Sequence, residues 1–473
     1  MTPIARQRPT GGVVAVLITC GILASMMQTL VLPLLGELPY IFDTTPSDAS
    51  WIVTSTLLAG AVSTPVLGRL ADQYGKKRML LIALLFLILG SVVCALATAL
   101  IPMIVGRTLQ GFATGIVVLG ISLLHDVLPA RKVAAGIALM SASLGVGGAI
   151  GLPIAAALAE YTDWRTLFWS VGVASVVVGA LIVFLVDAPA TRRAAVPFDY
   201  LGVLGLTIIL LSVLLAISKG GEWGWTSVTT LGLVVLAIVV TPIWCWLELR
   251  TRSPLVNLRV AARGTVLLTN LASILVGFAL YAQSLVIPQL MQLPVGTGYG
   301  HGQSMLQMAL WVAPSGIVMM LAAPFAARLT ATRGAKTTLV SGAVIIALGY
   351  AAATQVSGSL WGLTIAMWIS SIGTGFAFGA MPTLILDAVP ASEKAAANGL
   401  NALMRSLGMT ASAAVIGAVL AHLTTEFGGR LIPTEAGFIA GLVIGSGAAL
   451  FAALVAGAIQ GPAEGVVAVD ART

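Results

Sequence analysis

The chain predicts an all-α integral membrane protein with 14 transmembrane helices, arranged as six, a central pair, and six. Three observations carry this. First, 58% of its 473 residues are hydrophobic and only 9% are charged, against about a quarter charged in soluble domains. Second, apolar runs of about 20 residues, the length that crosses a bilayer core, recur along the whole sequence. Third, a charged, glycine-punctuated segment, Gly68-Arg69-Leu70-Ala71-Asp72-Gln73-Tyr74-Gly75-Lys76-Lys77-Arg78, returns in weakened form at Ala327-Arg328-Leu329-Thr330-Ala331-Thr332-Arg333-Gly334-Ala335-Lys336.

The spans are predicted at 12–36, 50–70, 79–99, 101–125, 133–158, 165–186, 199–218, 227–248, 265–292, 304–327, 337–355, 359–386, 397–422 and 437–459. The first follows Arg6 and Arg8, and its apolar run is too long for a signal-peptide core, so it is expected to stay as an uncleaved span. The tight turn at 99–101 separates the third span from the fourth, with Pro102 helping. Charge tests the count. Of 24 Lys and Arg, 19 fall on the two termini and on the loops after even-numbered spans, and only Arg165, Lys219 and Arg430 fall on the opposite side. A miscounted span would scramble that bias for everything beyond it. The positive-inside rule then places both termini in the cytoplasm. Trp51, Trp164, Trp223, Trp225 and Trp361 mark outer helix ends, and Trp244 and Trp246 an inner one.

The repeated loop has a fixed offset. Arg328 follows Arg69 by 259 residues and Pro324 follows Pro65 by the same 259. Gly375-Phe376-Ala377-Phe378-Gly379 follows Gly111-Phe112-Ala113-Thr114-Gly115 by 264, and Ser406-Leu407-Gly408 follows Ser143-Leu144-Gly145 by 263. Six spans occupy about 190 residues, so the remaining offset holds a central pair. The expected units are a six-helix bundle at 12–187, a two-helix insertion at 198–249 and a second six-helix bundle at 264–460. Internal repeats of this kind build secondary transporters, with the binding site at the bilayer midplane between them.

With those residues in hand, the chain resembles the major facilitator superfamily and, within it, the fourteen-span drug–proton antiporter family. The Gly68–Arg78 loop resembles that family's signature between helices 2 and 3. Ile104-Val105-Gly106-Arg107-Thr108-Leu109-Gln110-Gly111 looks like its helix 4 motif, with Arg107 at the arginine position, and Asp163-Trp164-Arg165-Thr166-Leu167-Phe168-Trp169 looks like the start of its helix 6. Phe198-Asp199-Tyr200-Leu201-Gly202, Gly220-Gly221-Glu222-Trp223-Gly224-Trp225 and Pro254-Leu255-Val256-Asn257-Leu258 are also typical. Two departures stand out. The family's helix 1 aspartate is absent, since that stretch reads Met27-Gln28-Thr29, and the helix 5 motif has a displaced proline and alanines for its final glycines, Gly147-Gly148-Ala149-Ile150-Gly151-Leu152-Pro153-Ile154-Ala155-Ala156. The resemblance implies a major facilitator fold of pseudo-symmetric bundles and efflux of drugs or secreted metabolites in exchange for protons, a multidrug and antibiotic-resistance function.

Each motif has a physical reading beside its plainer alternative. In the loop, Gly68 allows close helix approach and Gly75 a turn conformation other residues disfavour. Asp72 can pair with Arg69, a neighbouring basic group, or a helix N-terminus. Together with Arg78, Asp126 and Arg405, these residues form an expected cytoplasmic gate, the alternative being a plain positive-inside loop. Arg107 inside a span costs about 2.5–3.5 kcal/mol on insertion scales. With Gln110 one turn on, it is expected to act in coupling or to bind a polar substrate group, or else to make a helix-to-helix hydrogen bond. Glu37, near the outer end of helix 1, is the candidate titrating carboxylate. Gln28, Thr29, Gln283 and Gln289 are candidates for the substrate cavity, against interhelical hydrogen bonding. Gly147, Gly148, Gly151 and Pro153 are read as helix-packing residues that let the halves approach closely.

Several classes are set aside. The net charge of +7 is explained by orientation charges, so no nucleic-acid partner is expected. Cys20, Cys94 and Cys245 lie in apolar runs without metal spacing and are read as packing residues. No phosphate-binding loop is present, so energy must come from an ion gradient and neither an enzyme, a cofactor nor a metal is expected. Partners are the lipid bilayer, protons and an amphipathic small molecule, with the chain a monomer in the inner (plasma) membrane. Without a mid-membrane acid, the substrate is expected to be neutral or anionic. A lipid or glycolipid exporter, and a non-transporting membrane scaffold or sensor, stand as alternatives.

Overall fold

In lipid, a continuous apolar run can satisfy its backbone only within itself, as a helix, and the computed structural model follows that rule. It describes residues 10–31, 34, 38–44, 46–187, 199–251, 254–390, 393–427 and 430–459. In chain order the helices are α1 Thr10–Thr29, α2 Leu38–Ile41, α3 Pro46–Tyr74, α4 Lys76–Ala95, α5 Leu100–Gly111, α6 Ile116–Val127, α7 Ala130–Tyr161 and α8 Arg165–Leu185. Then come α9 Tyr200–Trp223, α10 Val228–Arg250, α11 Leu258–Ala261, α12 Gly264–Gln292, α13 Met305–Gln355, α14 Leu360–Ala388, α15 Lys394–His422 and α16 Glu435–Gly457.

Among the described residues, thirteen helices are long and apolar enough to cross a membrane. The α13 helix covers two expected spans, 304–327 and 337–355, in one run of 51 residues. At about 1.5 Å per residue a straight helix of that length would far exceed a hydrocarbon core of about 30 Å. Gly334, at φ 84° and ψ 158°, interrupts it. Gly75, its counterpart in the repeat, stands at φ 101° and ψ 131° between α3 and α4. Both glycines occupy the positive-φ region that side chains disfavour, so the duplicated loops share a backbone conformation as well as a sequence.

Two departures from the expected elements are local. The span expected at 101–125 is split by a 3-10 turn, Phe112–Gly115, between α5 and α6. Its repeat partner, residues 375–379, stays α-helical within α14. Between α15 and α16 lies a short antiparallel hairpin, β1 Thr424–Phe427 and β2 Arg430–Pro433, with Thr424 opposite Pro433. Its signal, a few polar residues and the Gly428-Gly429 pair, was hidden between two long apolar runs.

The packing has the plan of two bundles and a seam. One hydrophobic cluster draws on α1 through α8 and a second chiefly on α12 through α16. Matching helix pairs approach backbone to backbone. A Cβ on Gly90 of α4 would stand 2.6 Å from the Gly106 carbonyl oxygen of α5, and one on Gly373 of α14 would stand 2.4 Å from that of Gly342 in α13. The bundles meet where α7 packs on α13 and α14, and where α3 packs on α15. The α9–α10 pair lies over the second seam. Its cluster joins Leu58 and Ala61 of α3, Leu206 and Leu210 of α9, Trp244 of α10 and Leu403 of α15.

Gly373→Leu should therefore lower the thermal unfolding midpoint of the purified protein, with an overpacking cost of about 1–3 kcal/mol. Gly417→Leu, at an exposed glycine whose Cβ would meet nothing within 4 Å, should leave it unchanged. Equal effects would show that close backbone approach does not limit stability.

Candidate functional site

The chemistry gathers at the end of the molecule that carries the glycine-punctuated loop. Asp72, near the end of α3, accepts the backbone N–H groups of Ala396 at 3.1 Å and Ala395 at 3.4 Å. These belong to the first turn of α15, in the other bundle. Glu393, the residue before that helix, makes no side-chain cap of its own, so Asp72 supplies one across the seam. A carboxylate suits this position, where unpaired amides and the helix dipole favour negative charge. Gly68 lets the helices meet, because a Cβ there would stand 2.7 Å from the Ala395 carbonyl oxygen. Gly399 faces Thr64 and Pro65 across the same contact.

Other groups close around it. Lys76 Nζ binds Asp126 Oδ2 at 2.5 Å and donates to the Ser122 carbonyl at 3.2 Å, so Asp126 joins the loop through Lys76. Lys394 Nζ of α15 lies 3.0 Å from His125 Nε2 of α6, a second contact between bundles. Asn257 Nδ2 donates to Glu393 Oε1 at 3.0 Å. Arg69 lines a crevice beside Asn257, Glu393 and Ala396, whereas Arg78 is exposed.

Arg107 is only 1% exposed and reaches no open space. Its Nη1 donates to the Met27 carbonyl at 3.1 Å and to Gln110 Oε1 at 2.8 Å, and its Nε to the Ile52 carbonyl at 3.3 Å. Gln110 Nε2 in turn donates to Ser91 Oγ at 2.9 Å. The side chain thus ties α1, α3, α4 and α5 together, the hydrogen-bonding alternative weighed for it. Met27 lies two residues from the end of α1, where helix carbonyls lack intrahelical partners. A cation is favoured at that negative dipole end.

The α7 glycines serve a neighbour in their own bundle. A Cβ on Gly147 would meet the Ile22 carbonyl oxygen at 2.4 Å, and one on Gly151 would meet Thr29 Oγ1 at the same distance. Gly148 faces Ser25 and Thr29 at van der Waals range. Of the glycines in this run, the contact with the other bundle is made by Gly145, which with Ala149 meets Gly316 of α13. Pro153 lies within α7. Thr29 bonds the Met26 carbonyl at 3.1 Å, and Gln28 is half-buried beside it. In α12, Gln283 donates to the Met367 carbonyl at 3.4 Å, and Gln289 is exposed. Glu37 lies outside the described residues.

Arg405 of α15 is half-buried, with its guanidinium carbon 4.6 Å from the centre of the Phe378 ring. Among the described residues it has no carboxylate or hydrogen-bond partner. One turn earlier, Asn401 Nδ2 donates to Asn270 Oδ1 at 2.9 Å and to Ser273 Oγ at 2.7 Å of α12. That clamp was missed in the sequence, although Asn398 and Asn401 in an otherwise apolar run signal it. Also missed were Lys394 with His125 and Glu393 with Asn257, which loops distant in the chain bring together.

Two repeat-related helix bundles, in contact along a seam and joined across it at one end by Asp72 and α15, define a polytopic membrane protein built from internal repeats. The comparison with family models agrees: the Major Facilitator Superfamily model matches residues 17–413 and 269–468, and the chain belongs to that superfamily. An uncharacterized MFS-type transporter of Mycobacterium tuberculosis is 29% identical over 77% of this chain, and the match spans about half of that protein, 52%. Multidrug resistance protein Stp of the same species is 27% identical, covering 78% of this chain and 68% of that protein. The crystal structure of the human organic anion transporter MFSD10 superposes with a TM-score of 0.66 at 16% identity, covering 95% of this chain and 99% of that one. That likeness is one of fold.

If Asp72 works as a cap, Asp72→Asn should keep the bundles latched, because Asn caps as well as Asp, and Asp72→Ala should weaken the latch by about 1 kcal/mol. Spin-label distances between α3 and α15 would report it, and equal opening in both variants would make the role an ion pair instead. Arg107→Met removes three buried hydrogen bonds, depriving the Met27 carbonyl and Gln110 Oε1 of this donor, and should lower stability by about 2 kcal/mol, measured by thermal unfolding in detergent.

Proposed function

We propose that this chain is a proton-coupled secondary exporter of hydrophobic or amphipathic small molecules, working by alternating access in the inner (plasma) membrane. The observation that carries this is the latch, in which a carboxylate of one bundle caps a helix of the other. Such a contact is made in one arrangement of the bundles and lost in the other. The basic bias places the latch at the cytoplasmic face, so the described arrangement is closed to the cytoplasm. Fourteen crossings follow once α13 is counted as two spans turning at Gly334, and both termini are then cytoplasmic. The name of the relative Stp, a multidrug resistance protein, supports efflux.

Arg405 supports a neutral or anionic substrate. It is a cation within the spans, stacked on an aromatic ring, with no carboxylate facing it among the described residues. A lipophilic cation would meet repulsion there and no counter-charge, while an anionic group would find five N–H donors. Arg107 holds α1 in place within this reading, its Nη1 and Nε donating to carbonyls and Gln110.

The test is purified protein in liposomes with an internal pH dye, challenged with neutral, anionic and cationic amphiphiles under an imposed pH gradient. Neutral and anionic compounds should move protons. Arg405→Gln should cut anion flux tenfold or more while neutral flux persists. Movement of lipophilic cations alone would overturn the substrate class, and flux without proton movement would overturn the coupling.

A further inference from the structure

The proton coupling proposed above lacks an acid in helix 1, and the described arrangement offers one elsewhere. Glu248, in the last turn of α10, is 2% exposed. Among the described residues, neither of its carboxylate oxygens has a hydrogen-bond partner. The backbone N–H groups of Leu255 and Val256 approach it without reaching hydrogen-bond geometry. Asp199, which caps α9 by accepting the Gly202 N–H at 2.7 Å and also accepts the Leu255 N–H at 3.3 Å, stands beside it. A Cβ on Gly202 would lie 2.4 Å from Asp199 Oδ2 and 2.5 Å from Glu248 Oε1. The two oxygens are therefore less than about 5 Å apart, with a glycine making room for both.

Two carboxylates this close resist being ionised together, since each charge disfavours the other, and Glu248 is buried as well. Asp199 accepts two backbone N–H groups, whereas neither Glu248 oxygen has a partner in hydrogen-bond geometry among the described residues, so Glu248 is the member of the pair that a bound proton would satisfy. The charged and titratable groups that act on it are Asp199 from α9, Arg69 from α3, and Cys245 on its own helix. Arg69 also acts on Asp72, so one arginine of the repeated loop serves both the buried acid pair and the latch. Trp244, one turn before Glu248, donates to the Gly202 carbonyl at 2.9 Å and fixes α10 on α9.

We propose that Glu248, paired with Asp199 across Gly202, is a proton-binding site in the central helix pair that biases the cytoplasmic latch through Arg69. With the proton bound, the acid pair carries one negative charge and Arg69 is shared mainly with Asp72. With the proton released to the cytoplasm, the pair carries two and draws Arg69 toward α10. The central pair is then part of the energy coupling and more than a brace.

The test uses the full chain in nanodiscs, with the proton as the ligand. Infrared difference spectra across pH should show a protonated carboxyl band that disappears in Glu248→Gln. Spin labels at Tyr74→Cys and Arg263→Cys, one in each bundle, should report a pH-dependent distance that Glu248→Gln abolishes. Asp199→Asn, which keeps the helix cap, should move the midpoint of both signals down by about one pH unit or more, because it removes the like charge. A purely structural acid would move no midpoint. A carboxyl band that persists in Glu248→Gln, or a distance change with its native midpoint in both variants, overturns the proposal. Both readouts are independent of substrate flux, so a failure of proton-driven transport in liposomes would count against the exporter reading and leave this site standing.

Discussion

The arrangement depends on one hydrogen-bonded cap, that of α15 by Asp72. A helix N-terminus buried in protein needs acceptors for its first amides. The residue before α15 provides no side-chain cap, and the other bundle provides it instead. Stability of a single helix is thereby linked to the relative position of two bundles. In the proposed alternating access that linkage would serve as a gate, the cap being made in one arrangement and replaced by water or another acceptor in the other. The cost is of the order of 1 kcal/mol, small enough for substrate or a proton to shift the balance.

Glycine makes that contact possible and also limits it. Helices in lipid gain little from the hydrophobic effect against each other and associate by close packing. Within each bundle, the Gly90–Gly106 and Gly342–Gly373 contacts bring backbones together and give rigid units. Between bundles, Gly68 against Ala395, Gly145 against Gly316 and Gly399 against Thr64 bring backbones close as well. The α9–α10 pair lies beside that seam, against α3 on one side and α15 on the other.

Much of this was legible in the sequence. The apolar runs marked the helices, and the repeated loop put a break between 327 and 337, where Gly334 turns as Gly75 does. The capping role of Asp72 was one of the alternatives its position allowed. Other features were not legible, for a physical reason. A buried arginine reads the same whether it faces a cavity or three acceptors, and only the positions of Met27, Ile52 and Gln110 distinguish the two. The α7 glycines signalled close packing without saying which helix they approach. Contacts such as Asn257 with Glu393 join residues more than a hundred apart and leave no local pattern. Glu248, near the end of an apolar run, carries no local pattern that sets it apart, and only the fold places Asp199 beside it.

The polar groups inside the spans sort by what satisfies them, and the sorting indicates where work is done. Arg107 and Asn401 are each answered by neighbouring helices of their own bundle, which suits groups that must not change partner during a cycle. Asp72 is answered across the seam, so its partner is lost when the bundles move. Glu248 and Arg405 make no side-chain hydrogen bond or ion pair among the described residues. An unpartnered buried acid is most easily satisfied by a proton, and an unpartnered cation by an anion. In the proposed cycle the first would take the coupling ion and the second an anionic substrate group. They lie on different helices, α10 and α15, and α9 packs against both. An exporter in which proton and substrate never compete for one carboxylate would need such a separation, with the latch as the element both ligands bias.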